Sequence, residues 1–355
     1  MKWNLLGAVV LILVAGVAAL AILGYARPHV VAEVQGKLLA PPAGDGSWVA
    51  WLEGNEDQAH LVAVRRGAAR ARTVLVAPGL SGLAVHRDSA FVMRRDPAAK
   101  ITLLRVRLSD GAAQPLGEAP WPAEQMACDG EWLLWREERA AGLAGVPFVI
   151  AASPLTVLRA RPVSADTVST ILVLAGESPT RPRRVSLVGV QGGRAYWVER
   201  ERRRTGVETV VHRVTLPTGH PEQVLREAGE SSVALRPNCL LWTAPSVEAA
   251  EPMQYAALKR RTLDSAHDDV IGDWLLAGAT VLASDAGIYV QDRERLWRLG
   301  NGRQDERSLM TGPGGLVATH VAGDQQYAAT RLGDRLVILR RPLTWWARLR
   351  SLVGK

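Results

Sequence analysis

The sequence predicts an all-β fold, a closed propeller of about seven four-stranded blades, and three observations carry that prediction. Between residues 30 and 340 nothing long follows the 3.6-residue period of an amphipathic helix. Short alternating runs rich in Val, Leu, Trp and Tyr recur instead, divided by Gly, Pro, Asp and Asn. A heptapeptide also returns along the chain: DGSWVAW at 45–51, RDSAFVM at 87–93, DGEWLLW at 129–135, QGGRAYW at 191–197, RPNCLLW at 236–242, SDAGIYV at 284–290 and GDQQYAA at 323–329. Its spacings of 42, 42, 62, 45, 48 and 39 residues suit four strands per unit, with one insertion in the long interval. Finally, a strand ending in a glycine turn follows the heptapeptide, as in Leu104–Gly111 and His212–Gly219, where Gly supplies the positive φ of a tight hairpin.

The first element along the chain is a membrane segment. Leu5 to Leu23 carries no charge, and an apolar run of that length crosses the hydrocarbon core as a helix. It exceeds the apolar region of a typical cleaved signal. Residues 1–26 therefore read as a retained transmembrane signal anchor, while Gly24-Tyr25-Ala26 also offers a cleavage site after Ala26. Lys2 before the span is nearly balanced by Arg27, His29 and Lys37 after it. A tail this short ahead of a hydrophobic span behaves as a signal sequence. The expectation is a single-pass protein of the cell membrane with its body on the extracytoplasmic, periplasmic side.

The body, residues 27–342, is the propeller. Each unit reads strand A, tight turn, strand B with an aromatic end, loop, strand C, glycine turn, strand D. The last repeat supplies only three strands, Gly315–Val321, Gln326–Arg331 and Arg335–Arg341. HVVAEVQG at 29–36 is the candidate for the missing outer strand, a closure that removes sheet edges. Trp51, Trp135, Trp197 and Trp242 recur at one repeat position and read as blade-to-blade packing rather than a ligand cage.

Residues 343–355 form the tail. On a helix capped by Thr344, Trp345, Trp346, Leu349, Leu352 and Val353 share one arc, with Arg348 and Arg350 beside it. Trp345, Trp346, Arg348 and Arg350 are the expected membrane-interface residues; a helix packed back onto the last blade is the alternative. The closing strand puts this tail and the anchor on one face of the disc.

The opposite face gathers the candidate partner-binding residues. The apolar insertion AAGLAGVPFVIAAS at 140–153 contains Phe148, Val149 and Ile150, and a basic run contains Arg202, Arg203 and Arg204. Arg94, Arg95 and the stretch Thr180–Arg184 lie in neighbouring connections. An apolar loop rimmed by arginine marks a binding surface. The net charge of +8 admits an anionic partner; a protein or an anionic polymer is expected, and nucleic acid is disfavoured.

Motifs for chemistry are missing. No phosphate-binding loop is present, Gly312-Pro-Gly314 lacks the third glycine of a dinucleotide fingerprint, and Ser81 lies outside G-x-S-x-G spacing. His267, Asp268 and Asp269 are adjacent on a strand and cannot all face one ion. No catalytic residue, metal ligand or cofactor is assigned. Cys128 and Cys239 read as buried free thiols.

In period and in the D-G-x-W-h-x-W pattern of residues 45–51 and 129–135, residues 30–342 resemble the TolB-type and WD-repeat-like propellers of bacterial envelopes. The Ser-Pro that precedes Asp-Gly in many TolB-type repeats is absent, as are the GH and WD dipeptides of true WD repeats. The functional expectation is a membrane-anchored, non-enzymatic binding scaffold. The alternative is a propeller hydrolase or lyase with its active site in the central channel.

Overall fold

Strands form where the sequence alternates and break where it turns. The computed structural model describes residues 28–343 apart from 56, 142–151, 166, 175–182, 205, 246–254, 266, 285–286, 293–294, 301–302 and 309–315. His29–Glu33 is β1. Blade 1 runs through β2 (Lys37–Gly44), β3 (Trp48–Gly54), β4 (Ala59–Arg65) and β5 (Arg72–Ala77). In blade 2 the strands are β6 (Leu80–His86), β7 (Ser89–Arg95), β8 (Ile101–Arg107) and β9 (Ala113–Ala119). Blade 3 comprises β10 (Ala123–Cys128), β11 (Trp132–Ala141), β12 (Ala152–Pro162) and β13 (Ser169–Leu174). Next come β14 (Arg183–Gln191), β15 (Arg194–Arg203), β16 (Gly206–Thr215) and β17 (Glu222–Ala228) of blade 4. Blade 5 holds β18 (Val233–Arg236), β19 (Cys239–Pro245), β20 (Tyr255–Thr262) and β21 (Asp268–Leu276). Blade 6 follows with β22 (Thr280–Ser284), β23 (Gly287–Asp292), β24 (Arg295–Gly300) and β25 (Arg303–Ser308). The chain ends blade 7 with β26 (Leu316–Ala322), β27 (Gln325–Leu332) and β28 (Arg335–Pro342).

All seven sheets have four antiparallel strands, and the first strands of neighbouring blades touch around the axis. The fold is a seven-bladed propeller. Its last sheet is ordered β1-β28-β27-β26, so the N-terminal strand completes the final blade as the sequence predicts. His29 lies opposite Arg340 and Glu33 opposite Val337, and the Val34 amide donates to the Leu336 carbonyl at 2.8 Å. A further bond ties the closure to blade 1, from the Ala71 amide to the Val31 carbonyl at 3.0 Å.

Position within a blade dictates burial. Second strands are covered by neighbouring blades on both faces, so β3 is buried at every residue and reads as an unbroken apolar run, WVAWLEG. Outer strands such as β9 are mostly exposed. Seven clusters of buried side chains each join two adjacent blades. The recurrent tryptophans face the preceding blade: Trp51 packs with Tyr327 and Val31, Trp135 with Phe91 and Met93, Trp197 with Leu134 and Leu158, and Trp242 with Val198 and Val211.

Turn length corrects the repeat alignment. Three residues separate the first two strands in blades 1 and 3, but two do so in blades 2 and 7. The counterpart of Trp51 is therefore Val92 rather than Met93 in blade 2, and Ala328 rather than Ala329 in blade 7. One position earlier, the side chain faces the following blade, and Phe91, Tyr289 and Tyr327 pack in that direction. The turn of blade 3 requires glycine twice over. Gly130 has φ +98°, and a Cβ there would sit 2.5 Å from the Nε2 atom of His86 in blade 2.

Among the described residues there is no helix, and none long and apolar enough to cross a membrane. The span Leu5–Leu23 and the tail, with Trp345, Trp346, Arg348 and Arg350, lie outside the described residues. Neither the transmembrane helix nor the terminal amphipathic helix expected from the sequence has support in the fold.

Candidate functional site

Turns after the first and third strands of every blade share one face of the disc, and those after the second and fourth share the other. Arg202, Arg203 and Arg204 close the β15–β16 hairpin on the second of these faces and are exposed. Arg203 is matched by two carboxylates, Glu201 at 3.1 Å and Glu208 at 2.8 Å. Phe148, Val149 and Ile150 lie outside the described residues. The strands that flank them, β11 and β12, pair as far as Ala141 and Ala152.

The inner strands offer little convergent chemistry. Among the described residues no three His, Cys, Asp or Glu side chains come together as a metal site, and His267 stands exposed 3.5 Å from Asp269. The thiols of Cys128 and Cys239 are unpaired and sit in different blades; burial pushes Cys128 up to about 12, which keeps it protonated.

His320, on β26, is hemmed in at the seam between blades 7 and 1, its Nε2 atom 3.0 Å from the Gly44 carbonyl. Burial pushes its pKa below the ordinary 6.5, against the opposing pull of the Gly44 bond and the Asp45 charge. The unfolded chain takes up this proton first as pH falls, so the contribution is intact above pH 6.5 and is lost toward the depressed folded value. Thermal melts from about pH 7.5 to about pH 5 should show a smaller loss of stability in His320→Gln than in the parent. Equal losses would remove His320 as the cause.

Buried carboxylates recur in the second strands. The indole N–H groups of Trp51, Trp135 and Trp197 donate to Glu53 (2.6 Å), Glu137 (2.9 Å) and Glu199 (3.2 Å), two residues on. Trp242 instead donates to Glu227 of blade 4 at 3.0 Å, which also binds Lys259 at 2.9 Å. Burial raises the Glu53 pKa, opposed chiefly by the Trp51 bond. Each carboxylate satisfies an indole that faces the preceding blade, which makes these groups structural. The W-x-E pattern stands in the sequence at residues 51–53, 135–137 and 197–199, just beyond the end of the heptapeptide that defines the repeat.

Polar side chains converge instead between blades 4 and 5, in a cleft of about 450 Å³. That volume falls within the range of small-molecule sites. Arg194 opens β15 just after its turn, Arg213 nears the end of β16, and Arg261 nears the end of β20; all three line the cleft with Asp264 and Tyr196. Their bonds stitch the blades together. Arg194 donates to Asp264 at 3.1 Å, Arg213 to the Leu263 carbonyl at 3.3 Å, and Arg261 to the Val224 carbonyl.

The three arginines differ in how firmly they are held. Arg261 grips Asp268 through two bonds of 2.6 and 2.9 Å and lies over the Trp242 ring, a fixed position. Arg194 pairs with an Asp264 side chain that is 84% exposed, and Arg213 pairs at 2.9 Å with Glu222, which is 62% exposed. Exposed pairs of this kind contribute little and exchange readily. A guanidinium has five N–H donors, so both arginines keep donors for a ligand. None of these residues stands out in the sequence, because the cleft draws single residues from positions 194 to 265 across two blades.

No protein-family model matches the sequence, and no curated protein does either. Solved structures do resemble the fold. An acylaminoacyl peptidase from Pyrococcus horikoshii matches with a TM-score of 0.58 at 12% identity, over 86% of this chain and 52% of that one. The chain thus spans about half the length of the peptidase. Oligogalacturonate lyase from Vibrio parahaemolyticus matches with a TM-score of 0.58 at 7% identity, covering 88% and 91%. The propeller domain of the trilobed protease from Pyrococcus furiosus, described as having an open velcro topology, matches at 0.56 and 13%, covering 87% and 96%; the present ring is closed by β1. These likenesses agree with the envelope-propeller resemblance in fold alone. They overturn the expectation of a non-enzymatic scaffold, since propellers of this shape here belong to peptidases and a lyase, and at these identities what they establish is the seven-bladed fold.

Proposed function

We propose that the chain is a propeller of the hydrolase or lyase class that engages an anionic substrate through the cleft between blades 4 and 5. One observation carries this reading: three arginines, two of them in exchangeable ion pairs, line a single cleft of ligand size. A planar guanidinium with spare donors suits a carboxylate in a two-bond grip. An oligogalacturonate bears a carboxylate on each sugar, and an acylated peptide bears one at its end. Both kinds of substrate present the group the cleft is equipped to hold.

The test is turnover of oligogalacturonate, followed by absorbance of the unsaturated product, and of N-acyl peptides, followed by release of the acyl amino acid. Turnover of one of them is expected. In Arg194→Ala and Arg213→Ala, KM should rise about tenfold or more with kcat little changed, as for lost binding. Absence of both turnover and binding would overturn the reading, as would variants with unaltered KM.

A further inference from the structure

A smaller basic pocket, of about 190 Å³, lies on blade 2, lined by Ser89, Arg105, Arg107 and Gln114 and by no carboxylate of the described residues. Ser89 follows the turn after β6 and Arg107 precedes the turn after β8, so the pocket lies toward the same face of the disc as the cleft. Register makes the two comparable. Arg105 pairs with Phe91 as Arg213 pairs with Tyr196, and cross-strand partners share one face of the sheet. The two arginines hold one repeat position.

What stands beside that position on the outer strand differs. In blades 4, 5 and 6 the residue opposite the arginine is an acid, Glu222, Asp269 and Asp305; in blade 2 it is Gln114. Arg213 and Arg260 bind their acids at 2.9 and 2.7 Å. Among the described residues no carboxylate pairs with Arg105, whose Nε donates to Oγ of the buried Ser89 at 3.1 Å. That bond orients the guanidinium and leaves both terminal amino groups, a fork suited to a carboxylate. Arg107 is paired at 2.8 Å with Asp110, both side chains being about half exposed, and such a pair exchanges readily.

We propose that blade 2 carries a second anion subsite, and that the substrate is an extended chain of acidic sugars with one carboxylate in each pocket. This rests on the anion-binding role of the cleft proposed above. The blade 2 pocket is smaller than the roughly 300 Å³ at which small-molecule sites begin, and it suits one acidic unit of a longer ligand. An acylated peptide, with a carboxylate at its end, fills the cleft alone. A chain with a carboxylate on every unit fills both pockets, and its second contact forms at the high effective concentration set by the first.

The experiment is calorimetric titration of the whole chain with galacturonate dimer and with an oligomer of about twelve sugars, long enough to engage both pockets at once. The parent should bind the long oligomer about tenfold or more tightly than the dimer. Arg105→Ala should remove this gain and leave dimer affinity unchanged. Gln114→Glu, which supplies the acid that blades 4 and 5 have, should do the same, whereas Arg213→Ala should weaken dimer and oligomer alike. Arg331→Ala removes an exposed arginine near the end of β27, toward the opposite face, and should keep the gain. An equal loss in Arg331→Ala would show general charge attraction and overturn the subsite. A gain retained in Arg105→Ala, or no gain in the parent, overturns the subsite while leaving the cleft standing. Failure of dimer and oligomer to bind the parent overturns the cleft as a sugar-acid site and this inference together.

Discussion

Replacing Trp135 by alanine is expected to destabilise the ring by about 3–5 kcal/mol. The indole is 1% exposed and fills the seam between blades 2 and 3, against Phe91, Met93 and Leu103. A cavity forms there that neither sheet can collapse into, because each is held on its other face by a further blade. The second loss is polar. Glu137 is fully buried, accepts the indole N–H at 2.9 Å and lies 3.0 Å from Arg159. Without the indole this carboxylate keeps its burial and loses a donor, which adds to the cost. The double variant Trp135→Ala/Glu137→Gln should therefore be less destabilised than the sum of the single changes. Urea midpoints measure all three proteins. A loss under about 1 kcal/mol for Trp135→Ala would show that the seam repacks.

Deletion of residues 28–36 is the other large-effect change. This segment buries Val31 of β1 and Val34 just after it, worth about 1.5–3 kcal/mol each, and its strand pairs with Val337, Ile338 and Leu339 of β28. Without it β28 becomes an apolar sheet edge, the usual starting point of edge-to-edge aggregation. The truncated chain should elute as oligomers and be cleaved by protease first in blade 7. Because β1 begins beside the end of β28, a circular permutant carrying residues 28–36 after residue 343 through a short turn should restore the monomeric ring. Aggregation of the permutant to the same degree would show that β1 acts through more than its pairing.

The propeller is legible because its repeat is written in local chemistry. Asp-Gly before Trp48 and Trp132 marks a turn feeding a doubly covered strand, and that strand must be apolar throughout. The closing strand is legible by arithmetic of strands, since the last repeat lacks one and 29–36 remains over. The misalignment at Met93 arises because turns of two and three residues look alike when only the apolar run is aligned. The cleft is illegible for another reason. Arg213 and Arg261 each sit in a strand of ordinary pattern, HRVT and KRRT, and read as solvated charge. They share a cleft only because blades 4 and 5 stack. The buried carboxylates are readable in principle, since each of the three follows its tryptophan at a fixed distance of two.

The closure of blade 7 also orders events in time. His29 pairs with Arg340, 311 positions away, so the first of these strands to leave the ribosome is the last to find its partner. Blades 1 to 6 can stack on one another as they emerge, each needing only its neighbour. β1 must wait, with Val31 and the adjoining Val34 in water, until β28 has been made. Closing that loop costs about 2 kcal/mol more in chain entropy than closing one repeat. A partly synthesised chain is therefore an open arc with an unpaired strand at its beginning, and a nascent chain halted before β28 presents that strand to whatever sheet edge it meets.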